Sequence, residues 1–206
     1  MSPTPPRPAT DTEIRGQDWE GQDLSGQRHE RVAFVEADLT DASNRGGFFS
    51  ECTFRDCRFG SSAHTDAAFL NCTFSNCNFF DATFKDCKLV GSAFDRCRFE
   101  LLRVDGGDWS FVALPRAELQ RASFLDVRMR EVDLRAARCA GARFRRVDLS
   151  GAVLERVDFS GADLRGSYLT SLDPRVADLY RTIIDPEQSM MIAAALGLDV
   201  QPLDEG

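Results

Sequence analysis

The residues with chemistry to offer are seven cysteines, two histidines and 33 carboxylates. Cysteine and histidine together suggest zinc, whose structural sites need close ligand pairs such as Cys-x-x-Cys. No such pair occurs. Cys52, Cys57, Cys72, Cys77, Cys87 and Cys97 instead stand at multiples of five residues from one another, and Cys139 falls outside that phase. His29 and His64 lack the further donors a metal site requires. The sequence holds no Ser-His-Asp set, no phosphate loop and no paired carboxylates in a recognisable pocket. No catalytic, metal or cofactor-binding residue is therefore assigned, and a binding protein is expected rather than an enzyme.

The cysteine spacing belongs to a period that runs through the chain, and a repeat has to be settled before any helix or strand is assigned. Counting by five from Trp19 reaches Leu24, His29, Phe34, Leu39, Asn44, Phe49, Phe54 and Phe59, and the phase continues to Leu154, Phe159, Leu164 and Leu169. Two residues before each of these the chain is almost always small, as at Ala37, Cys52, Ala82, Ser92 and Ala162. A period of five matches neither the 3.6 of a helix nor the 2 of a flat strand. It fits a coil with flat sides and sharp corners, each side pointing one large and one small residue inward. Four sides per coil bring positions 20 apart into register at about 4.8 Å. The predicted fold is all-β, a right-handed quadrilateral β-helix over residues 14–171. From Trp19 to Leu169 it makes nearly eight coils, a rod of roughly 37 Å.

In that frame six cysteines take the small inward position and Cys139 the large one, where thiols act as small buried hydrophobes. Cys57, Cys77 and Cys97 stack one coil apart, close enough for disulfides, which a reducing compartment opposes. Asn44 and His64 stack on one side with His29 on the adjoining side, read as polar residues hydrogen-bonded within the first coils.

The flanks follow other rules. Residues 1–13 form a proline-rich leader with nothing to bury, expected to be disordered. After Leu169, Asp173-Pro174 and Asp185-Pro186 each read as a helix start, and Gln188 completes a capping box with Asp185. Two short helices are predicted in a cap over residues 172–206, the second running from about Pro186 to Leu196 and stopped at Gly197. Its apolar run leaves no polar face. One side can cover the last coil; the other needs a partner, most simply a twofold copy of the chain, with Met190, Met191, Ile192, Ala195 and Leu196 as the candidate dimer interface. No apolar run approaches the roughly 20 residues of a membrane span and no secretory signal is evident, so a cytoplasmic protein without membrane contact is expected.

The formal net charge of −8 argues against direct nucleic-acid binding, which draws on a basic surface, and favours partners with basic grooves. Residues 11–30 carry net −4 and residues 147–206 net −7, while residues 116–146 hold nine arginines against four acids. That basic band either pairs with neighbouring carboxylates or contacts a partner. On the side centred on Phe49, Phe69, Leu89 and Trp109, the outward positions include Phe48, Leu70, Val90 and Phe111. These form either an apolar contact patch or residues that turn over a corner and pack within the molecule. Local irregularity is expected near Asp105-Gly106-Gly107-Asp108, where Leu102 and Val112 replace the usual small residue.

Repeats such as Cys52-Thr53-Phe54, Asp148-Leu149-Ser150-Gly151-Ala152 and Ala162-Asp163-Leu164-Arg165-Gly166 resemble those of pentapeptide repeat proteins. More narrowly, the chain resembles the MfpA/Qnr-like fluoroquinolone resistance family. Arg45-Gly46 ahead of Phe49, the weak pattern from Cys97 to Leu119 and the tail Asp185-Pro186-Glu187-Gln188 leading to Gly197-Leu198 carry that match. The resemblance implies a dimeric rod that imitates B-form DNA, occupies the DNA-binding saddle of DNA gyrase and gives resistance to quinolones or natural topoisomerase poisons. Members that protect gyrase through loops break the five-residue phase; this chain does not, and so resembles the loop-free branch. Acids placed to imitate phosphates are Asp18, Glu20, Asp38 and Asp41 in the first coils and Asp148, Asp158 and Asp163 in the last, unless they are ordinary solvated acids. The alternative function is a scaffold or adaptor rod with no link to topoisomerases.

Overall fold

The computed structural model describes residues 8–201. They wind as a right-handed parallel β-solenoid with four sides, followed by a single helix. Each rung pairs with the residue 20 positions on. The Phe34 side pairs Ile14, Phe34, Phe54, Phe74 and Phe94 in succession. The His64 side runs Asn44, His64, Phe84, Val104, Phe124 and Phe144. The Phe49 side begins His29, Phe49 and Phe69. On the fourth, the Phe59 side, single bridges Asp38↔Arg58, Arg58↔Asn78 and Asn78↔Arg98 do the same work.

The large inward residues make the core by stacking on their copies one coil away. Ring centroids lie 4.8 Å apart for Phe34–Phe54 and for Phe49–Phe69, and 4.7 Å apart for Phe54–Phe74 and for Phe59–Phe79, so ring thickness and strand spacing agree. The small position also has a polar duty. The thiols of Cys57, Cys77 and Cys97 each donate, at 3.5 Å, to the carbonyl of the large residue 23 positions earlier. The hydroxyls of Ser92 and Ser167 do so at 2.8 and 2.7 Å. All seven cysteines are free thiols, and burial pushes those of Cys72, Cys77 and Cys139 well up and that of Cys87 to about 12. His64 is buried with Asn44 Nδ2 3.2 Å from Nδ1 and Ser62 Oγ 3.0 Å from Nε2. This network satisfies every polar side chain it holds, and burial lowers the His64 pKa to about 3.

At nearly every corner the residue two past the large one is left-handed, as at Asp56 (φ 57°), Asn76 (φ 56°) and Arg146 (φ 53°). That conformation costs most residues about 1 kcal/mol and is easiest for Gly, Asn and Asp, which is why these types crowd the corners. The irregularity expected near Asp105–Asp108 falls on either side of that segment: Asp108 N–H still donates to Cys87 O at 2.9 Å, while the N–H groups of Leu101 and Glu118 have no backbone acceptor among the described residues. Within the segment Gly107 takes the small position, and an added Cβ would stand 2.1 Å from the Cys87 carbonyl oxygen.

Both flanks differ from expectation. Residues 1–7 of the leader lie outside the described residues, but Thr12–Arg15 is a strand paired with Val32–Val35, because Ile14 extends the Phe34 stack. Of the two predicted helices only Pro186–Ala195 forms. The Asp173 carboxylate accepts the Arg175 N–H and guanidinium, closing a single turn. Leu179 and Ile184 then keep the five-residue phase against the core. The ladder therefore continues past residue 171 to Asp163↔Ile183. The helix is joined to the coil end by its capping box. Gln188 N–H donates to Asp185 Oδ1 and Gln188 Oε1 accepts the Asp185 N–H, both at 3.0 Å, while buried Gln188 Nε2 donates to the carbonyls of Leu164 and Ser167 at 2.7 and 2.8 Å. Residues 202–206 of the predicted cap lie outside the described residues. No described helix is long and apolar enough to cross a membrane.

Candidate partner-binding surfaces

Five of the seven acids singled out in the sequence share a phase. Asp18, Asp38, Asp148, Asp158 and Asp163 each stand just before a large inward residue, and each carboxylate accepts the N–H two residues on, at 2.9 to 3.2 Å. They cap turns as Asx residues do. Asn78 performs the same task for Phe80 N–H at 3.1 Å. This role was missed although the repeated Asp-Leu-Ser and Asp-Leu-Arg triplets carried its signal.

The first coils bring carboxylate oxygens of Asp18, Glu20 and Asp38 within 4.8 Å of one another; Asp41 sits apart, on a left-handed corner (φ 55°). Arg58 spans the rung to Asp38, with Nε 3.0 Å from the carboxylate. Partial burial alone would raise the Asp38 pKa, but hydrogen bonds from Arg58 and Thr40 outweigh it and hold it low. At the other end Asp163 is held low by Arg165, at 2.8 Å, and Asp148 pairs with Arg130. Asp158 has no arginine partner among the described residues. Of the seven acids, Asp18, Glu20, Asp41 and Asp158 make no ion pair among the described residues, though the Arg58 charge lies near Asp18 and Glu20.

The basic band resolves in favour of pairing. Arg121, Arg128, Arg130, Arg135, Arg138, Arg145 and Arg146 reach Glu100, Asp108, Asp148, Asp133, Glu118, Asp163 and Asp126 respectively. Arg116 and Arg143 alone of the band make no ion pair among the described residues. Such exposed pairs add little stability, yet they remove most of the positive field from the middle of the rod.

Of the apolar patch, Phe48, Leu70 and Val90 are half-buried and Phe111 is exposed. The four do not share one column. Phe48 pairs with Ala68 and lies under the Arg28 guanidinium, 4.5 Å from the ring centroid. Leu70 and Val90 follow one another at the other edge of that side, and Phe111 occupies a left-handed corner (φ 60°). A larger apolar surface gathers at the C-terminal end. Met191 and Ile192 pack against the core, but Met190 is 57 % exposed, Leu196 49 % and Leu198 61 %. Ala195 is exposed beside them, and Tyr168, Val176, Tyr180 and Ile183 from the last coils are exposed too.

A four-sided parallel solenoid with a five-residue inward period and turn-capping acids defines a class of repeat rod. Sequence comparison agrees: residues 47–124 match the profile of the pentapeptide repeat region, and residues 113–151 and 133–170 match that of pentapeptide repeats (8 copies). The chain belongs to the pentapeptide repeat family. Among solved structures it is similar to QnrB1, a plasmid-mediated fluoroquinolone resistance protein, with a TM-score of 0.63 and 17 % identity over 92 % of this chain and 99 % of that one. HetL, a pentapeptide repeat protein involved in heterocyst differentiation regulation from the cyanobacterium Nostoc, matches with a TM-score of 0.40 and 20 % identity over 85 % of this chain and 84 % of that one. No curated protein matches the chain in sequence.

Proposed function

We propose that this protein is a cytoplasmic DNA-mimicking rod that binds DNA gyrase, a type II topoisomerase, in its DNA-binding groove. It acts as a twofold dimer joined through the C-terminal cap, and modulates the enzyme so as to give resistance to quinolones or natural topoisomerase poisons. The observation that carries this reading is the fate of the charge. Arginine pairing neutralises the basic band within the rod, so the uncompensated charge of a chain with net −8 is acidic near both ends, as a competitor for a basic groove requires. Fold likeness along the whole length of QnrB1 and the uncovered apolar surface at the C-terminal end support it. Asparagine keeps the turn-capping acceptor and removes the charge, as Asn78 shows. The double variant Asp18→Asn, Asp158→Asn should therefore inhibit gyrase supercoiling several-fold less well than the natural chain while its dimer and circular dichroism stay unchanged. Equal inhibition by both would remove charge mimicry from the account. An adaptor rod is the second reading, favoured by Phe111, a bulky apolar side chain 54 % exposed on a left-handed corner.

A further inference from the structure

One junction between coils is open. The ladder closes at Phe94, whose N–H donates to Ala113 O at 2.9 Å, and again at Ser123, whose N–H donates to Leu102 O at 2.9 Å. Between these points the N–H groups of Arg96, Phe99, Leu101 and Glu118, which the period would send across the junction, have no protein acceptor among the described residues. One coil below, Asn76, Phe79 and Asp81 donate to Asp95, Arg98 and Glu100 at 2.8 to 2.9 Å; one coil above, Arg116 and Leu119 donate to Arg135 and Arg138 at 2.8 Å.

The coil between Phe99 and Leu119 is filled unevenly, with Val104 and Gly107 small for their positions. Leu102 and Val112 replace small residues, and Trp109 points inward from the side opposite the gap, edge-on to Phe84 and Phe124 at 89° and 85°. Its Nε1 is buried without a partner. The Phe79–Phe99 stack is 5.7 Å, against 4.7 Å for Phe59–Phe79.

A groove of about 470 Å³ lies over this junction, lined by Arg96, Arg98, Arg116 and Arg121 with half-buried Cys97 among them. Arg96 and Arg121 pair with Asp95 and Glu100, and Glu118, also in the lining, is held by Arg138. Arg98 and Arg116 make no ion pair among the described residues. Two uncommitted guanidinium groups beside a row of unpaired backbone N–H groups are the donors that tetrahedral oxyanions recruit, guanidinium through its planar fork and the amides as an anion-binding concavity. We propose that this groove binds a small phosphate-bearing anion of about diphosphate size, held by Arg98 and Arg116. The proposal is independent of the gyrase reading.

The test titrates inorganic pyrophosphate into the full chain by calorimetry and follows alkylation of Cys97 alongside. The expected result is saturable binding at or below millimolar concentration, slower Cys97 alkylation when bound, and at least about tenfold weaker binding in the Arg98→Ala, Arg116→Ala double variant with unchanged circular dichroism. Arg156→Ala removes an arginine of the Arg116 corner column two coils away, itself without an ion pair among the described residues, and should bind as the natural chain does. Absence of saturable binding, a double variant that binds equally well, or an equal loss in Arg156→Ala would each overturn the proposal.

Discussion

The buried imidazole of His64 makes the rod sensitive to mild acid. Burial takes His64 from an ordinary 6.5 to about 3, so an unfolded chain accepts a proton that the folded one refuses. Its contribution is complete above about pH 6.5 and is lost as pH falls toward about 3, at about 1.4 kcal/mol per pH unit. His64→Phe would preserve stacking on Phe84, now 4.6 Å away, but strand the Asn44 amide. Urea unfolding should show that variant about 1–2 kcal/mol less stable at pH 7 with a flatter decline toward pH 4; an unaltered acid limb would remove His64 as the cause. The thiols give a second reading at this scale. Native alkylation should reach Cys97, half-buried in the groove, well before Cys52, Cys57, Cys72, Cys77, Cys87 and Cys139, which are buried. Rapid native labelling of three or more cysteines would contradict the inward placement. Inward and outward residues were legible because the five-residue phase fixes which atoms face the core. The turn-capping role of Asp148 and Asp163 lay in the repeated Asp-Leu-Ser and Asp-Leu-Arg triplets, where the charge of the carboxylate masks its bond to its own backbone.

Among elements, the helical cap carries the most specific interactions. Gln188 closes the capping box and covers two carbonyls of the last coils with one amide. Gln188→Ala leaves those acceptors unpaired and should cost about 2 kcal/mol, read as earlier melting of the C-terminal coils in hydrogen exchange. Protection unchanged beyond residue 160 would mean that packing of Met191 and Ile192 suffices. Gly107→Ala should also destabilise, by about 2 kcal/mol or more, because the Cys87 backbone occupies the space a methyl group needs. The capping box was readable because its two side chains lie three residues apart. The first predicted helix failed because Asp173-Pro174 fits a single turn as well as a helix start, and Leu179 and Ile184 decide for the coil by reaching the core. The open junction was legible in outline, since the pattern weakens from Cys97 to Leu119 and Leu102 and Val112 replace small residues. Which N–H groups lose their acceptors was not, because the five-residue phase assigns Arg96, Phe99, Leu101 and Glu118 the same partners as every other coil.

At the scale of the molecule, the exposed apolar surface is concentrated where the coil ends. Tyr180, 71 % exposed, Tyr168 and Ile183 lie on different sides of the last coils, while Met190, Leu196 and Leu198 are exposed on and just beyond the helix, and the proposed dimer would cover the helix residues. Met190→Asp with Leu196→Asp should convert a dimer to a monomer in light scattering; a dimer that persisted would place the interface elsewhere. The proposed dimer competes with DNA for one basic groove, and a supercoiling assay with purified gyrase and purified dimer, repeated over increasing DNA and increasing salt, tests that competition. Inhibition at micromolar dimer should weaken as either is raised, because both change the competition between polyanions. A dimer at that concentration that neither inhibits supercoiling nor shields gyrase from a quinolone would contradict it.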